Sequence, residues 1–241
     1  TLKITHFTTA LATVALAALT LSACSSEGNA EGSTEDLGTI KAGYVPGWTD
    51  QEAMTYLAKN QLEKIGYTVE VEELADNGPI FAALSQGALD LFASAWPEIT
   101  HKAYMDEFGD DVESLNTYYD NAKLFLAVPS YSDIDSIADL ADESSTFNSE
   151  IIGIEPGAGL TRVTRDDAMP AYGLDSWNLK TSSTASMLTV LGQAIDNESD
   201  IVVTLWRPFW ATTAYDVKEL EDPEGAMGEP EPLESLATAG F

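Results

Sequence analysis

Three tryptophans stand where an indole is presented rather than hidden. Trp48 follows Pro46-Gly47, Trp96 precedes Pro97, and Trp206 comes shortly before Pro208. Each lies within a few residues of the end of a run that reads as a β-strand: 39–45, 89–94 and 201–204. In open α/β sheets that edge is where ligands bind. Three indoles converging there make an aromatic box. Its natural guest is a quaternary ammonium, which has no N–H to donate and is held by the ring quadrupoles through cation–π attraction. The competing reading of any tryptophan is a core anchor. Trp177 and Trp210 take that reading, Trp210 being one helical turn beyond Trp206 and placed to pack its helix down. Asp50, close behind Trp48, has two readings: a counter-charge to the box, or the N-cap of the helix that follows.

A second candidate is the loop EPGAGLTR, from Glu155 to Arg162. Its glycines free the backbone, and the helix start after Gly157 and Ala158 offers unpaired N–H groups that suit a carboxylate. It lacks the Lys-Ser/Thr of a nucleotide-binding loop. Close carboxylate pairs carry no weight in a chain with 40 acidic residues. There is no nucleophile elbow and no His-bearing metal motif. His6 lies in the leader and His101 opens a helix. No catalytic residue, metal or cofactor is expected.

The elements that must position these residues alternate. Strands read at 39–45, 67–74, 89–94 and 122–128, with helices at 50–65, 80–87 and 99–108 between them. The rhythm repeats with a short helix at 133–140, strands at 151–154, 180–183 and 201–204, and helices at 160–172 and 185–197. Pro208 suits the first turn of one more helix, 217–220 reads as a last strand, and 222–232 as a loop. Strands alternating with helices imply a largely parallel sheet covered on both faces. The units divide near Val128 into two clusters with a cleft between them.

The chain has 241 residues, 44% of them hydrophobic, enough for one or two globular domains with real cores. Its formal net charge is −29, from 40 acidic and 11 basic residues. That disfavours nucleic acid and anionic lipid headgroups, both of which need Lys and Arg. One cysteine and two histidines exclude an internal disulfide and make a zinc site improbable. Residues 1–23 read as a signal peptide. The apolar run from Ala10 to Leu21 is about 12 residues, within the ~7–15 of such a core and too short to span a membrane. It ends in Leu21-Ser22-Ala23-Cys24, which resembles the bacterial lipobox, whose cysteine is lipidated. Residues 24–38 are small, polar and acidic and read as a flexible tether. Anchor and tether place the folded part outside the cytoplasmic membrane.

At the segments already singled out, the chain resembles the substrate-binding proteins of bacterial ABC importers for glycine betaine, proline betaine and choline. The resemblance runs from about residue 40 to about 230 and is carried by GYVPGWTD with Trp48 and Asp50, SAWPEITHKAY with Trp96, IIGIEPGAG at 151–159, SMLTVLGQAI, and IVVTLWRPFW with Trp206. It implies an α/β, two-lobed periplasmic-binding-protein fold of the second type, with ligand in the inter-lobe cleft. Residues 39–127 and 206–241 would form the first lobe and 128–205 the second. It also implies that Trp48, Trp96 and Trp206 form the cage, and that a monomeric receptor hands its ligand to a permease and ATPase without chemistry. Where the family often has Trp-x-Pro-His-Trp, this chain has Trp206-Arg207-Pro208-Phe209-Trp210. Arg207 or the amides near Gly157 are the candidates to replace that His on a betaine carboxylate. The family's choline binders carry a Tyr where Leu124 stands, and some betaine binders a Trp where Ala158 stands. Trp48-Thr49-Asp50 is closer to the choline binders, so betaine and choline both stay open. The other readings are a receptor for another small solute such as an amino acid, a lipid-anchored enzyme, and a structural or adhesion lipoprotein.

A surface this acidic repels itself in dilute buffer, and salt screens the repulsion. This points to a surface adapted to salt: the thermal midpoint is expected to rise in molar salt, and an unchanged midpoint would rule that adaptation out.

Overall fold

The computed structural model describes residues 36–241. The leader and the lipobox, Cys24 included, lie outside the described residues. The first elements are β1 (Thr39–Tyr44), α1 (Thr49–Ile65), β2 (Thr68–Glu73), α2 (Asn77–Ser85), β3 (Leu91–Ala95) and α3 (Lys102–Phe108). β4 (Val112–Pro129) leads through a 3-10 turn at Ile137–Asp142 to β5 (Glu150–Ile152). A continuous helical run follows: α4 (Gly159–Arg162), a π-helical turn at Val163–Ala168 and α5 (Met169–Ala171). The chain ends with β6 (Asn178–Lys180), α6 (Thr184–Asp196), β7 (Val202–Arg207), α7 (Ala211–Ala214), β8 (Val217–Glu219) and β9 (Glu231–Thr238).

Local chemistry sets several boundaries. α1 ends where Gly66 turns left-handed at φ 113° and returns its N–H to Glu63 and Leu62 carbonyls, a conformation that costs glycine little. α2 starts at Asn77, ahead of the helix expected at 80–87, because Asp76 caps it and Pro79 falls in its first turn, where no N–H is needed. Pro208, by contrast, stands before α7, not in it.

The strand order is β2-β1-β3-β9-β4-β7-β5-β6, with β8 also on β4. β1 runs parallel to β2 and β3, and β5 parallel to β6 and β7. β9 is antiparallel to β3 and β4, and β4 is antiparallel to β7 and β8. The sheet is thus mixed, where the alternation of elements implied a largely parallel one. The difference lies in two strands that the hydrophobic pattern under-reports. β4 is 18 residues long, but its first half is mostly exposed and only the part from Ala122 onward is steadily buried. A strand crossing between two packed bodies has solvent on both faces and shows no alternation to detect. β9 opens inside the stretch read as a loop, yet Leu233, Leu236 and Ala237 are buried between β3 and β4.

β4 is the spine. Its residues 112–122 pair with β9, and 123–129 pair with β7 and β8. β8 also pairs with the second half of β4. The fold is α/β and two-lobed, as in the periplasmic binding proteins.

One buried polar residue ties the return strand to the site. Glu231, at the head of β9, is 1% exposed. Its carboxylate accepts from the N–H groups of Glu98, Ile99 and Thr100 at 3.0, 2.9 and 3.0 Å and from Thr100 Oγ1 at 2.5 Å. Successive amides turned one way make an anion nest, here filled by the protein's own side chain. Burial pushes this carboxyl above the ordinary range, against the pull of those hydrogen bonds. Glu231→Ala leaves the amides without an acceptor. It is expected to cost about 3 kcal/mol in urea unfolding, with Glu231→Gln, which keeps one acceptor oxygen, losing less.

Candidate ligand-binding site

The three tryptophans meet. Trp96 is the residue after β3, Trp206 is the penultimate residue of β7 and faces Leu124 across the β4 ladder, and Trp48 is the N-cap of α1. All three line one small cavity. Trp48 and Trp206 stand edge to face, 6.4 Å between centroids at 65°. Trp206 is backed by Phe209, stacked at 3.9 Å. Leu124, Ile154 and Leu160 complete the apolar wall.

The indole N–H groups of Trp48 and Trp96 each end on a carboxylate. Trp48 Nε1 donates to Glu155 Oε2 at 3.1 Å and to Thr184 Oγ1 at 2.9 Å. Glu155 is held in turn by the Thr184 backbone N–H and hydroxyl, both at 2.8 Å. Trp96 Nε1 donates to Asp50 Oδ2 at 3.0 Å, an atom that also accepts from Ser94 Oγ at 2.8 Å. Tyr118 OH donates to Ser94 Oγ at 2.7 Å. A satisfied N–H fixes each ring, and the negative charge at its edge makes the π-face more attractive to a cation.

Asp50 is therefore not a cap. Trp48 takes the cap position, and Asp50 sits in the first turn of α1, where the helix dipole favours a negative charge. Burial pushes its carboxyl up, and the bonds from Trp96 and Ser94 pull it back. It lines the cavity, and the described lining includes no Lys or Arg.

Of the remaining expected site residues, Ala158 lines the cavity and Gly157 and Arg207 do not. Gly157 N–H is taken by Asp76 Oδ2 at 2.8 Å. Arg207 reaches Glu219 and lies 4.5 Å above the Phe125 ring. It is the last residue of β7, and strand alternation turns it to the face opposite Trp206. Neither is placed to hold a carboxylate in the cavity. Trp177 is a buried core residue, as expected. Trp210 does not pack its helix down: it is 47% exposed, against Phe209 and Tyr215.

Sequence reasoning passed over the residues behind the cage. His101, read only as a helix opener, is buried and lines the cavity. Its Nδ1 accepts from the Trp96 N–H at 3.0 Å, and its Nε2 lies 2.6 Å from Asn77 Nδ2. Asn77 Oδ1 accepts from Gln51 at 3.1 Å, and Gln51 Oε1 accepts from the Val45 N–H at 2.9 Å. This chain of polar groups joins the ends of β1 and β3. The one sequence signal was spacing: Trp96-Pro97 bends the chain so that His101 N–H returns to the Trp96 carbonyl at 2.8 Å. Glu155 belongs to the candidate loop, but its meeting with Thr184 and Trp48 gave no signal, since the three come from segments far apart. Among the described residues no group of three or more His, Cys, Asp or Glu side chains has the arrangement of a metal site.

An aromatic cavity between two lobes joined by crossing strands defines a solute-capturing binding protein. Residues 38–241 match the family described as the substrate-binding domain of ABC-type glycine betaine transport systems, and the chain belongs to it. This is a family of transporter binding proteins, not of enzymes. The chain is 38% identical over 102 residues to the glycine betaine/carnitine transport binding protein GbuC of Listeria monocytogenes. That alignment covers 42% of this chain and 34% of the relative, so about a third of the relative's length is spanned. Lactococcal OpuAC, solved closed with glycine betaine, superposes with a TM-score of 0.77 at 33% identity, covering 84% of this chain and 78% of that one. An ABC-transporter choline-binding protein solved with choline gives 0.75 at 25% identity, over 84% and 72%.

Burial lowers His101 from its ordinary value to about 3. In the unfolded chain it takes up a proton near 6.5, in the folded chain only near 3. Its contribution is therefore complete above about pH 6.5 and is lost as pH falls toward 3, by up to about 1.4 kcal/mol per pH unit. Urea midpoints measured across that window are expected to fall less steeply for His101→Gln than for the wild type; parallel slopes would show His101 is not buried neutral.

Proposed function

We propose that the protein is an extracytoplasmic receptor that captures a small quaternary ammonium osmoprotectant, glycine betaine or choline, and delivers it to an ABC permease and its ATPase. The carrying observation is the cage: three indoles on one cavity, two with their N–H groups drawn away to Asp50 and Glu155, and no Lys or Arg lining it. A trimethylammonium group offers no hydrogen bond and asks only for π-faces and negative potential. Each ring contributes about 0.5–2 kcal/mol when desolvated. The relatives named for betaine, carnitine and choline support this ligand class. The ligand's oxygen faces the Ala158–Gly159 backbone if it is a betaine carboxylate, and Asp50 if it is a choline hydroxyl.

The receptor is a monomer tethered through lipidated Cys24, with residues 24–38 as its leash. No helix among the described residues is long and apolar enough to cross a membrane. The second body comprises the second half of β4 through β8. The first comprises β1 to the start of β4 together with β9, and the two close on the ligand.

Tryptophan fluorescence titrated with glycine betaine and, separately, with choline tests the reading. A saturable response to either supports it, and the responding ligand assigns the oxygen contact. Trp206→Ala should weaken binding at least about tenfold, which is 1.4 kcal/mol, and should also lower the unfolding midpoint because the ring is buried against Phe209 and Trp48. Unchanged affinity in that variant would falsify the cage.

A further inference from the structure

The loop 155–159 is gripped from across the cavity by residues that touch no part of the cage. Gly157 N–H donates to Asp76 Oδ2 at 2.8 Å, and Gly157 C=O accepts from Tyr104 OH at 2.9 Å. Asp76 is the cap of α2 and Tyr104 belongs to α3, both in the body built on β1, β3 and β9, whereas Gly157 follows β5 in the other. Two further contacts cross at the same place. Arg162 Nη2 donates to the Ile99 carbonyl at 3.0 Å. Gly159 lies so close to Thr100 that an added Cβ would stand 1.9 Å from its carbonyl oxygen. The loop's seat, residues 98–100, is the segment that Glu231 holds by its amides. The seat is rigid, and the loop is fastened to it by both hydrogen-bonding groups on one glycine.

We propose that Asp76 and Tyr104 form a two-point latch on Gly157 that holds the two bodies closed over the cavity and sets how long a ligand stays. They are positioning residues. The ligand does not contact them, and their effect reaches it by keeping Ala158, Gly159 and Leu160 against the cavity. The role follows from chemistry on both sides. Asp76 accepts from Asn77 N–H with Oδ1 at 2.8 Å, so its rotamer is set by the helix it caps, and Oδ2 is left free for Gly157. Tyr104 is stacked on Phe81 at 5.1 Å, which aims its hydroxyl. A Cβ at 157 would lie 2.4 Å from Asp76 Oδ2, so any side chain there pushes the Asp76 carboxylate out of place.

The latch uses the capture reading only for its probe ligands, and the test separates the two. Stopped-flow fluorescence with glycine betaine and with choline reads association and dissociation. Asp76→Ala and Tyr104→Phe should each speed dissociation about tenfold and change association by less than about threefold, since interface changes act mainly on dissociation. The double variant should be little worse than the stronger single, because both groups hold one peptide. Gly157→Ala should dissociate faster too. Adding Asp76→Ala removes its clash, so that pair should match Asp76→Ala alone. Small-angle scattering of the ligand-free protein is the second readout, with a larger radius of gyration expected in both variants; the thermal midpoint should hold in Tyr104→Phe and fall in Asp76→Ala, which also loses the α2 cap. If neither dissociation nor radius moves in these variants, the latch is wrong. If the wild type binds neither probe, the capture reading fails, and the scattering comparison alone decides the latch.

Discussion

The site depends on indole N–H groups being satisfied by carboxylates, Glu155 buried and Asp50 half-buried. A tryptophan facing a cavity with its N–H free would turn that polar edge toward the ligand or toward water. Asp50 and Glu155 take the N–H groups of Trp96 and Trp48 out of the cavity and leave the π-faces in it. The cost is two carboxylates in a low-dielectric setting without a basic partner, which proteins accept only when hydrogen bonds replace the lost water. Here Ser94, Thr184 and the indoles themselves supply those bonds. The same bonds that make the acids tolerable lock the rings.

The chain repeats this solution. With 11 basic residues against 40 acidic ones, it has few cations to place, and its ion pairs lie at the partly exposed surface, where each contributes little. The acids that organise the interior are held by amides, hydroxyls and N–H groups instead. Glu231 fills the nest at 98–100, Asp76 takes Asn77 and Gly157, and Asp222 accepts from Ala226 and Met227. Hydrogen bonds of this kind are short-range and directional, so salt that screens the acidic exterior leaves them largely untouched.

The architecture places these groups by two crossing strands. β4 pairs with β9 along one half and with β7 and β8 along the other. Its middle passes beside the cavity, where Leu124 faces Trp206. β9 returns the chain to the first body and brings Glu231 under the loop that carries Trp96 toward His101. A displacement of either strand would therefore move the seat of the cage as well as the joint between the bodies.

Read alone, the amino-acid sequence determined the alternation of elements, the convergence of Trp48, Trp96 and Trp206 on one cavity, and the presence of Asp50 beside them. These are local signals: apolar runs, turn residues, and indoles at strand ends. Tertiary structure alone decided what stands behind the rings. Glu155 and Thr184 reach Trp48 from 107 and 136 residues away, and no short-range pattern encodes such a meeting. It also decided that β4 is long and that β9 exists, because a crossing strand is solvated where it crosses and shows no period. And it removed Gly157 and Arg207 from the ligand's side of the wall. A side chain's direction at a strand end, and an amide's partner across a closed cleft, are set by packing between distant segments, not by the residues that precede and follow them.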